Sequence, residues 1–268
     1  MFILPSSSYE LCRPLFAPLD HHLGPQIVIN GSLPGTVLVD DLAAPRAALT
    51  WLKHRVYLAG APDPAFLEMA RQVLTETILP AAQAAKRERY LLYHVPAAAE
   101  QAAELLHGLG FTQEWRLQLE MRALKVDWRP LLPEKMLLQQ VDAWLLRSPR
   151  MIGKDALIQA LTAEHPSLED ALQREFGYCL IRRRLIIARC LSEYAGQGRC
   201  EFGIVTHPDY RKQGLATIVA CALVERAQFL GFTRIGWHCW EKNRASSALA
   251  LKIGFELNQR YPVLTGRI

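Results

Sequence analysis

The chain has 268 residues, half of them apolar and 21% charged, which suits one large domain or two modest ones with a packed core. The net charge of +5 favours an anionic ligand such as a nucleotide cofactor, but it is too small and too scattered to mark a nucleic-acid binder. No stretch is apolar for long enough to span a bilayer and the N-terminus carries no basic leader, so a cytoplasmic protein without a membrane partner is expected.

Cys12, Cys179, Cys190, Cys200, Cys221 and Cys239 include no CxxC pair and have no His at metal spacing. That argues against a zinc site and a disulfide framework, leaving buried reduced thiols and no metal. Arg182, Arg183 and Arg184 form the one tight basic cluster and read as a solvated turn between strands.

Prolines and glycines break the first third into short pieces. Within it, Thr36 to Asp40 reads as a strand and Ala48 to Ala59 contains another, closed by Gly60. Pro64 opens a helix whose apolar spacing runs through Phe66, Met69, Ala70, Val73, Leu74 and Ile78. Arg89 to Val95 is a predicted strand, and a second helix starts at Pro96 and stops at Gly110. Trp115 to Met121 alternates as a further strand. Pro130 and Pro133 then mark a boundary, giving expected domains at 1–127 and 128–268.

Beyond it, Lys135 to Val141 reads as a strand and is followed by helical material up to Phe176. Tyr178 to Ile181 and Leu185 to Tyr194 form a predicted hairpin around the arginine turn, and Glu201 to Thr206 is a buried strand. A helix follows over Gly214 to Leu230, then a strand over Arg234 to Trp240, a helix over Arg244 to Ile253 and a last strand over Leu257 to Leu264. The two halves share this order. Leu105 to Phe111 (LLHGLGF) and Leu249 to Phe255 (LALKIGF) match locally, which suggests an internal duplication.

The segment from Glu201 to Ala227 carries the chemistry. A strand runs into His207-Pro208-Asp209-Tyr210, then Arg211-Lys212-Gln213-Gly214-Leu215-Ala216-Thr217, then a helix. The first-turn N–H groups of a helix, with its dipole, make an anion site. Gly214 and Ala216 keep side chains away from an approaching phosphate, while Arg211 and Lys212 add charge.

These residues resemble the GNAT superfamily of acetyl-CoA-dependent N-acetyltransferases, whose motif V-x-P-x-x-R-x-x-G-x-G/A is similar to V-T-H-P-D-Y-R-K-Q-G-L-A with one extra residue before the proline. Trp240, Asn243, Ser247, Leu249 and Lys252-Ile253-Gly254-Phe255 resemble its second motif. The match covers about residues 176 to 256. The proline-rich first half, with Val39-Asp40-Asp41 and A-A-x-x-W at 47–51, is similar to a two-domain subgroup with a degenerate N-terminal copy.

The resemblance implies an α/β fold with a mixed sheet (α+β), GNAT in the C-terminal half and degenerate GNAT-like in the N-terminal half. It implies acetyl-CoA as co-substrate. The strand Phe202 to Thr206 would splay from Ile235 to Trp240, with Ile204, Val205 and Thr206 receiving the pantetheine arm. Arg211, Lys212, Gln213, Gly214, Leu215, Ala216 and Thr217 would hold the pyrophosphate, and Asn243 and Ser246 would lie along the pantetheine. Asn243 is equally a good helix N-cap. Glu201 is the candidate base and the Val205 N–H the candidate contact for the thioester carbonyl. Many relatives place an acid tyrosine seven residues after the asparagine. Here that position is Ala250, and Tyr261, His207 or His238 are the substitutes, Tyr261 taken first.

The first half has Ala59-Gly60-Ala61-Pro62-Asp63-Pro64 where the phosphate turn should come. Its prolines remove N–H donors and Asp63 would repel phosphate, so this half is expected to bind no CoA. The expected activity is acetyl transfer to a primary amine of a small molecule. The alternatives are a non-catalytic acyl-CoA sensor and a protein or peptide acetyltransferase. The expected partners are the amine acceptor and, as an option, a second copy in a homodimer, with no nucleic acid.

Overall fold

The computed structural model describes all 268 residues, and its contacts divide the chain into two compact units. The first comprises Met1–Trp115 with Tyr261–Ile268 and the second Arg116–Arg260. The division therefore falls inside the strand β6 (Thr112–Met121), upstream of Pro130 and Pro133. Arg116 to Glu120 of that strand pair with Gly236 to Trp240, whereas the prolines lie in a segment without ladder pairing that is pinned locally. Arg129 makes a two-pronged contact with Glu225, 2.9 Å on each arm, and the Trp128 indole N–H donates to the same carboxylate at 3.0 Å. No helix is long and apolar enough to cross a membrane.

In the first unit, β1 (Phe2–Ile3) pairs with β2 (Thr36–Val39), and β2, β3 (Ala47–Leu52) and β4 (Arg55–Gly60) form an antiparallel meander. The single strand expected over Ala48 to Ala59 is thus a hairpin, reversed at Lys53 with φ 56°. Between β1 and β2 the chain makes a 3₁₀ helix (Ser6–Leu19) that accommodates Pro14 and Pro18, and then α1 (Leu23–Ile29), buried at every residue. Prolines read as breaks are tolerated there because Cys12, Phe16 and Leu19 are buried. The helix predicted from Pro64 is observed as α2 (Pro64–Val73), a π turn over Leu74–Ile78 and α3 (Leu79–Ala84). Pro80 has no N–H for the regular helical ladder, which accounts for the widened turn before it. Next come β5 (Arg89–His94), parallel to β4, and α4 (Ala99–Leu105).

The second unit starts with the end of β6, followed by β7 (Leu137–Gln140), the short helices α5 (Ala143–Arg147), α6 (Lys154–Leu161) and α7 (Leu168–Arg174), and the hairpin β8 (Gly177–Arg182) and β9 (Leu185–Gly196). Arg183 and Arg184 occupy the hairpin turn with positive φ. Then come β10 (Arg199–Thr206), α8 (Leu215–Phe229), β11 (Arg234–Trp240), α9 (Arg244–Ile253) and β12 (Phe255–Arg267), the last reaching into the first unit. Strands β7 to β10 are antiparallel neighbours, β10 and β11 are parallel, and β11 is antiparallel to β6. Mixed pairing of this kind matches the α/β expectation.

Strand alternation gives this sheet two apolar faces. Cys200, Phe202, Ile235, Trp237 and Cys239 pack with Leu215, Ile218, Val219 and Leu223 of α8 and Ile253 of α9. On the opposite face Cys179, Ile181, Ile186 and Leu191 pack with Leu145, Leu157 and Ala171 of α5 to α7. All six cysteines are buried and unbridged. Burial raises the thiol pKa of Cys179 and Cys221 to about 12, so none is a nucleophile near neutral pH.

Candidate active site

Strands β10 and β11 begin as regular parallel neighbours, with Arg199 opposite Arg234, Cys200 opposite Ile235, Glu201 opposite Gly236 and Phe202 opposite Trp237. There the pairing ends. Gly203 to Thr206 continue against β9 alone, and His238 to Trp240 against β6 alone. Two strands that part while both continue leave main-chain polar groups facing a gap, and such groups need partners. The splay expected over Phe202 to Thr206 therefore starts one residue later, at Gly203.

The chain leaving β10 makes a short turn over Pro208–Tyr210, capped by His207, whose Nδ1 accepts from the Asp209 N–H at 3.4 Å. His207 thus has a structural role at the turn. Lys212 has φ 60° and Gly214, the N-cap of α8, has φ 77°. A non-glycine residue in the left-handed region is strained, so the glycine is fixed by backbone conformation as well as by access. A Cβ at Gly214 would meet no protein atom within 4 Å. Arg211, Lys212, Gln213 and Gly214 are exposed, while Leu215 and Thr217 are buried under the helix. The N–H of Thr217 turns back to the Gly214 carbonyl at 3.0 Å; those of Leu215 and Ala216 lie in the first turn, where no helical acceptor exists. Together with the dipole and two cationic side chains, this end of α8 suits a pyrophosphate. The gap, the turn and the open space at Gly214 fit a CoA thioester.

Asn243 is the N-cap of α9, and its side chain accepts from the Ser246 N–H at 3.2 Å. Ser246 Oγ accepts from the Trp237 indole N–H at 3.0 Å, tying the first turn of α9 to the last residue of β11 that pairs with β10. The cap uses the amide oxygen of Asn243 and leaves its NH₂ donors for another partner. Ala250 is wholly buried in the core beneath α8 and α9.

Glu201 and His238 come together on the sheet face away from α8, with His238 Nε2 3.6 Å from Glu201 Oε1. Their side chains are 13% and 9% exposed, so the pair is screened from bulk water without being sealed off. Gly236 makes room: a Cβ there would stand 3.3 Å from Glu201 Cγ and 3.9 Å from His238 Nε2. The approach of His238 to Glu201 is one that only the register of two strands separated by α8 could reveal. Tyr261 belongs to the first unit, where its buried ring meets His22 edge-on at 4.7 Å and His21 at 4.9 Å.

A feature with no sequence signal is the bulge in β9. Tyr194 lies opposite Glu201 and Ser192 opposite Phe202, so Glu193 is the extra residue. The Glu193 carboxylate lies over Gly203, in the space that a Cβ there would fill. Behind the bulge is a buried polar group. Ser192 Oγ donates to Glu175, Glu175 Oε1 lies 3.1 Å from His165 Nε2, and His165 Nδ1 lies 2.8 Å from Asp170 Oδ2. Its two carboxylate hydrogen bonds raise the His165 pKa against the opposing effect of burial, and burial raises that of Glu175.

The GNAT acetyltransferase family model matches residues 13–264 of the chain. An uncharacterized N-acetyltransferase of Bacillus subtilis, YdfB, is 27% identical over 239 residues, covering 88% of this chain and 87% of that protein. Among solved structures, a GCN5-related N-acetyltransferase-like protein from Streptococcus suis superposes with a TM-score of 0.71 at 20% identity, over 97% of this chain and 98% of that one. A tandem GNAT protein from the clavulanic acid biosynthesis pathway superposes with a TM-score of 0.60 at 12% identity, over 99% and 97%. With the parted strands and the glycine turn in place, and a family match that spans both units, this chain is an acyltransferase belonging to the GNAT acetyltransferase family.

Proposed function

We propose that the second unit transfers the acetyl group of acetyl-CoA to a primary amine of a small-molecule acceptor. The observation that carries the proposal is the parting of β10 and β11 after Phe202 and Trp237, which leads directly to the anion-binding turn at Arg211 to Thr217. In this reading the main chain of Ile204, Val205 and Thr206 pairs with the pantetheine arm, Asn243 and Ser246 line its other side, and the Val205 N–H polarises the thioester carbonyl. The co-substrate supplies an activated acetyl group as its thioester.

Glu201 takes the proton from the amine, with His238 at 3.6 Å able to hold or pass it on. The amine nitrogen forms the C–N bond to the carbonyl carbon, the C–S bond breaks, and the thiolate leaves with the electron pair. A thiolate departs without an acid, so the buried Ala250 costs the reaction nothing and the proposal gives Tyr261 no step.

The first unit fits a degenerate GNAT-like copy that binds no CoA. Its parallel strands β4 and β5 remain partnered from Arg55 opposite Leu91 to Leu58 opposite His94, and the Val95 N–H extends the contact to the Leu58 carbonyl at 3.0 Å. The helix start that follows is closed as well, because Asp63 accepts from the Phe66 N–H at 2.8 Å.

Calorimetry with acetyl-CoA and thiol release against a panel of primary amines test the proposal together. One acetyl-CoA bound per chain and amine-dependent thiol release are expected. Failure to bind acetyl-CoA would overturn the cofactor site; binding without turnover on any amine would overturn the acceptor reading.

A further inference from the structure

On the edge away from the gap, the parted strand β10 pairs with β9, whose register sets Arg189 opposite Val205 and Leu191 opposite Gly203. Alternation fixes the direction of Arg189. Its neighbours Ala188 and Cys190 belong to the core under α8, whereas Cys179, its partner on β8, and Leu191 belong to the opposite core. Arg189 therefore points to the same face as Glu201, Gly203 and Val205.

It is half-buried, yet its guanidinium forms no salt bridge and no hydrogen bond within the chain. Burial lowers its pKa, opposed only by the Cys179 thiol. Arginine is rarely taken out of water without a partner. Arg116 and Lys242 lie over the Trp240 ring at 5.1 and 5.6 Å.

Along the same face, the Glu193 carboxylate covers Gly203 and Glu201 follows one pleat further on. Two residues along a strand span about 7 Å. A cation, a carboxylate and the Glu201–His238 pair thus succeed one another along β10, an order complementary to a molecule with an anion at one end and an amine at the other.

We propose that Arg189 binds a carboxylate of the acceptor, so that the acceptor class is an amine that also carries a carboxylate, its nitrogen directed past Glu193 to Glu201. The planar guanidinium fork matches a carboxylate in two-pronged geometry, which a lysine at this position would not provide. The inference rests on the acetyltransferase reading of the same site and adds the chemistry of its acceptor.

The test compares the twenty common L-amino acids and 5-aminopentanoate with their carboxamides, as acceptors and as ligands titrated into the CoA-bound protein. At least one carboxylate compound should exceed its carboxamide about tenfold in kcat/KM and in affinity. Arg189→Leu should remove that preference and leave acetyl-CoA affinity unchanged within about twofold, and Arg189→Lys should restore only part of it. If carboxylates bind through Arg189 but no amine is acetylated, the acetyl-transfer reading fails while the anion seat stands. The inference is overturned if no carboxylate is preferred, if Arg189→Leu keeps the preference, or if that variant instead loses acetyl-CoA affinity, which would assign Arg189 to the cofactor.

Discussion

Phe202 and Trp237 are the last residues at which β10 and β11 stay partnered, and both side chains are buried in the core beneath α8 and α9. The strands are therefore locked on one side of this pair and parted on the other. Edge-on packing of Trp237 against Phe255 at 5.4 Å and its bond to Ser246 hold that point rigidly. The gap follows from the strand register itself, with Gly203 to Thr206 paired only with β9 and His238 to Trp240 only with β6.

At the far end of the gap, Gly214→Glu should lower acetyl-CoA affinity by more than about 100-fold, because the space beside its φ 77° backbone is open and faces the proposed pyrophosphate. Gly214→Ala carries the same backbone strain, about 1–2 kcal/mol, without the charge. Calorimetry of both variants separates the effects. Equal loss in Ala and Glu would place the phosphate elsewhere.

Glu201→Gln should reduce kcat by about 10²–10⁴-fold with acetyl-CoA affinity unchanged. His238→Gln should reduce kcat less, since it removes the imidazole 3.6 Å from the carboxylate. An unchanged kcat in His238→Gln would leave the histidine a packing role only.

Asn243 makes a cap and, in the proposed reading, a cofactor contact, and one substitution divides them. Asn243→Asp keeps an oxygen for the Ser246 N–H but loses the NH₂ donors, so stability should hold while acetyl-CoA affinity falls about tenfold. Asn243→Ala should also lose about 1 kcal/mol of stability by denaturant unfolding. Full affinity in the Asp variant would make Asn243 a cap alone.

His165 supplies a pH signature. Asp170 and Glu175 face its two ring nitrogens; burial disfavours the imidazolium, but the two carboxylates outweigh it, so its folded pKa lies above the ordinary 6.5. Its stabilisation should be complete below about pH 6.5 and disappear as pH rises through the raised value. Unfolding free energies of wild type and His165→Gln should therefore differ most below about pH 6.5 and converge as pH rises through the raised value. A constant difference would show that the imidazole is neutral in the fold.

Much of the second unit was legible in the sequence because its signals are local. Arg234–Trp240 and Arg244–Ile253 are observed at the predicted bounds, since alternation, a capping asparagine and a terminating glycine act within a few residues. The glycine turn before α8 was equally legible, as its glycine, basic pair and apolar helix are contiguous. Ser6–Leu19 was not, because burial of Cys12, Phe16 and Leu19 outweighs prolines that locally read as breaks.

What only tertiary structure decided is everything that depends on register between distant strands. The sequence by itself determined that Glu201 lies in the motif strand, which the structure starts two residues earlier at Arg199, and that Gly214 precedes α8, because propensity and periodicity are properties of one segment. It contained no sign that Glu201 faces His238 over Gly236, that a bulge turns Glu193 onto Gly203, or that Arg189 stands opposite Val205 without a partner. A shift of one residue in pairing reverses which face a side chain occupies. Register here is set by the packing of two cores on opposite faces of one sheet, and that packing exists only once the chain has folded.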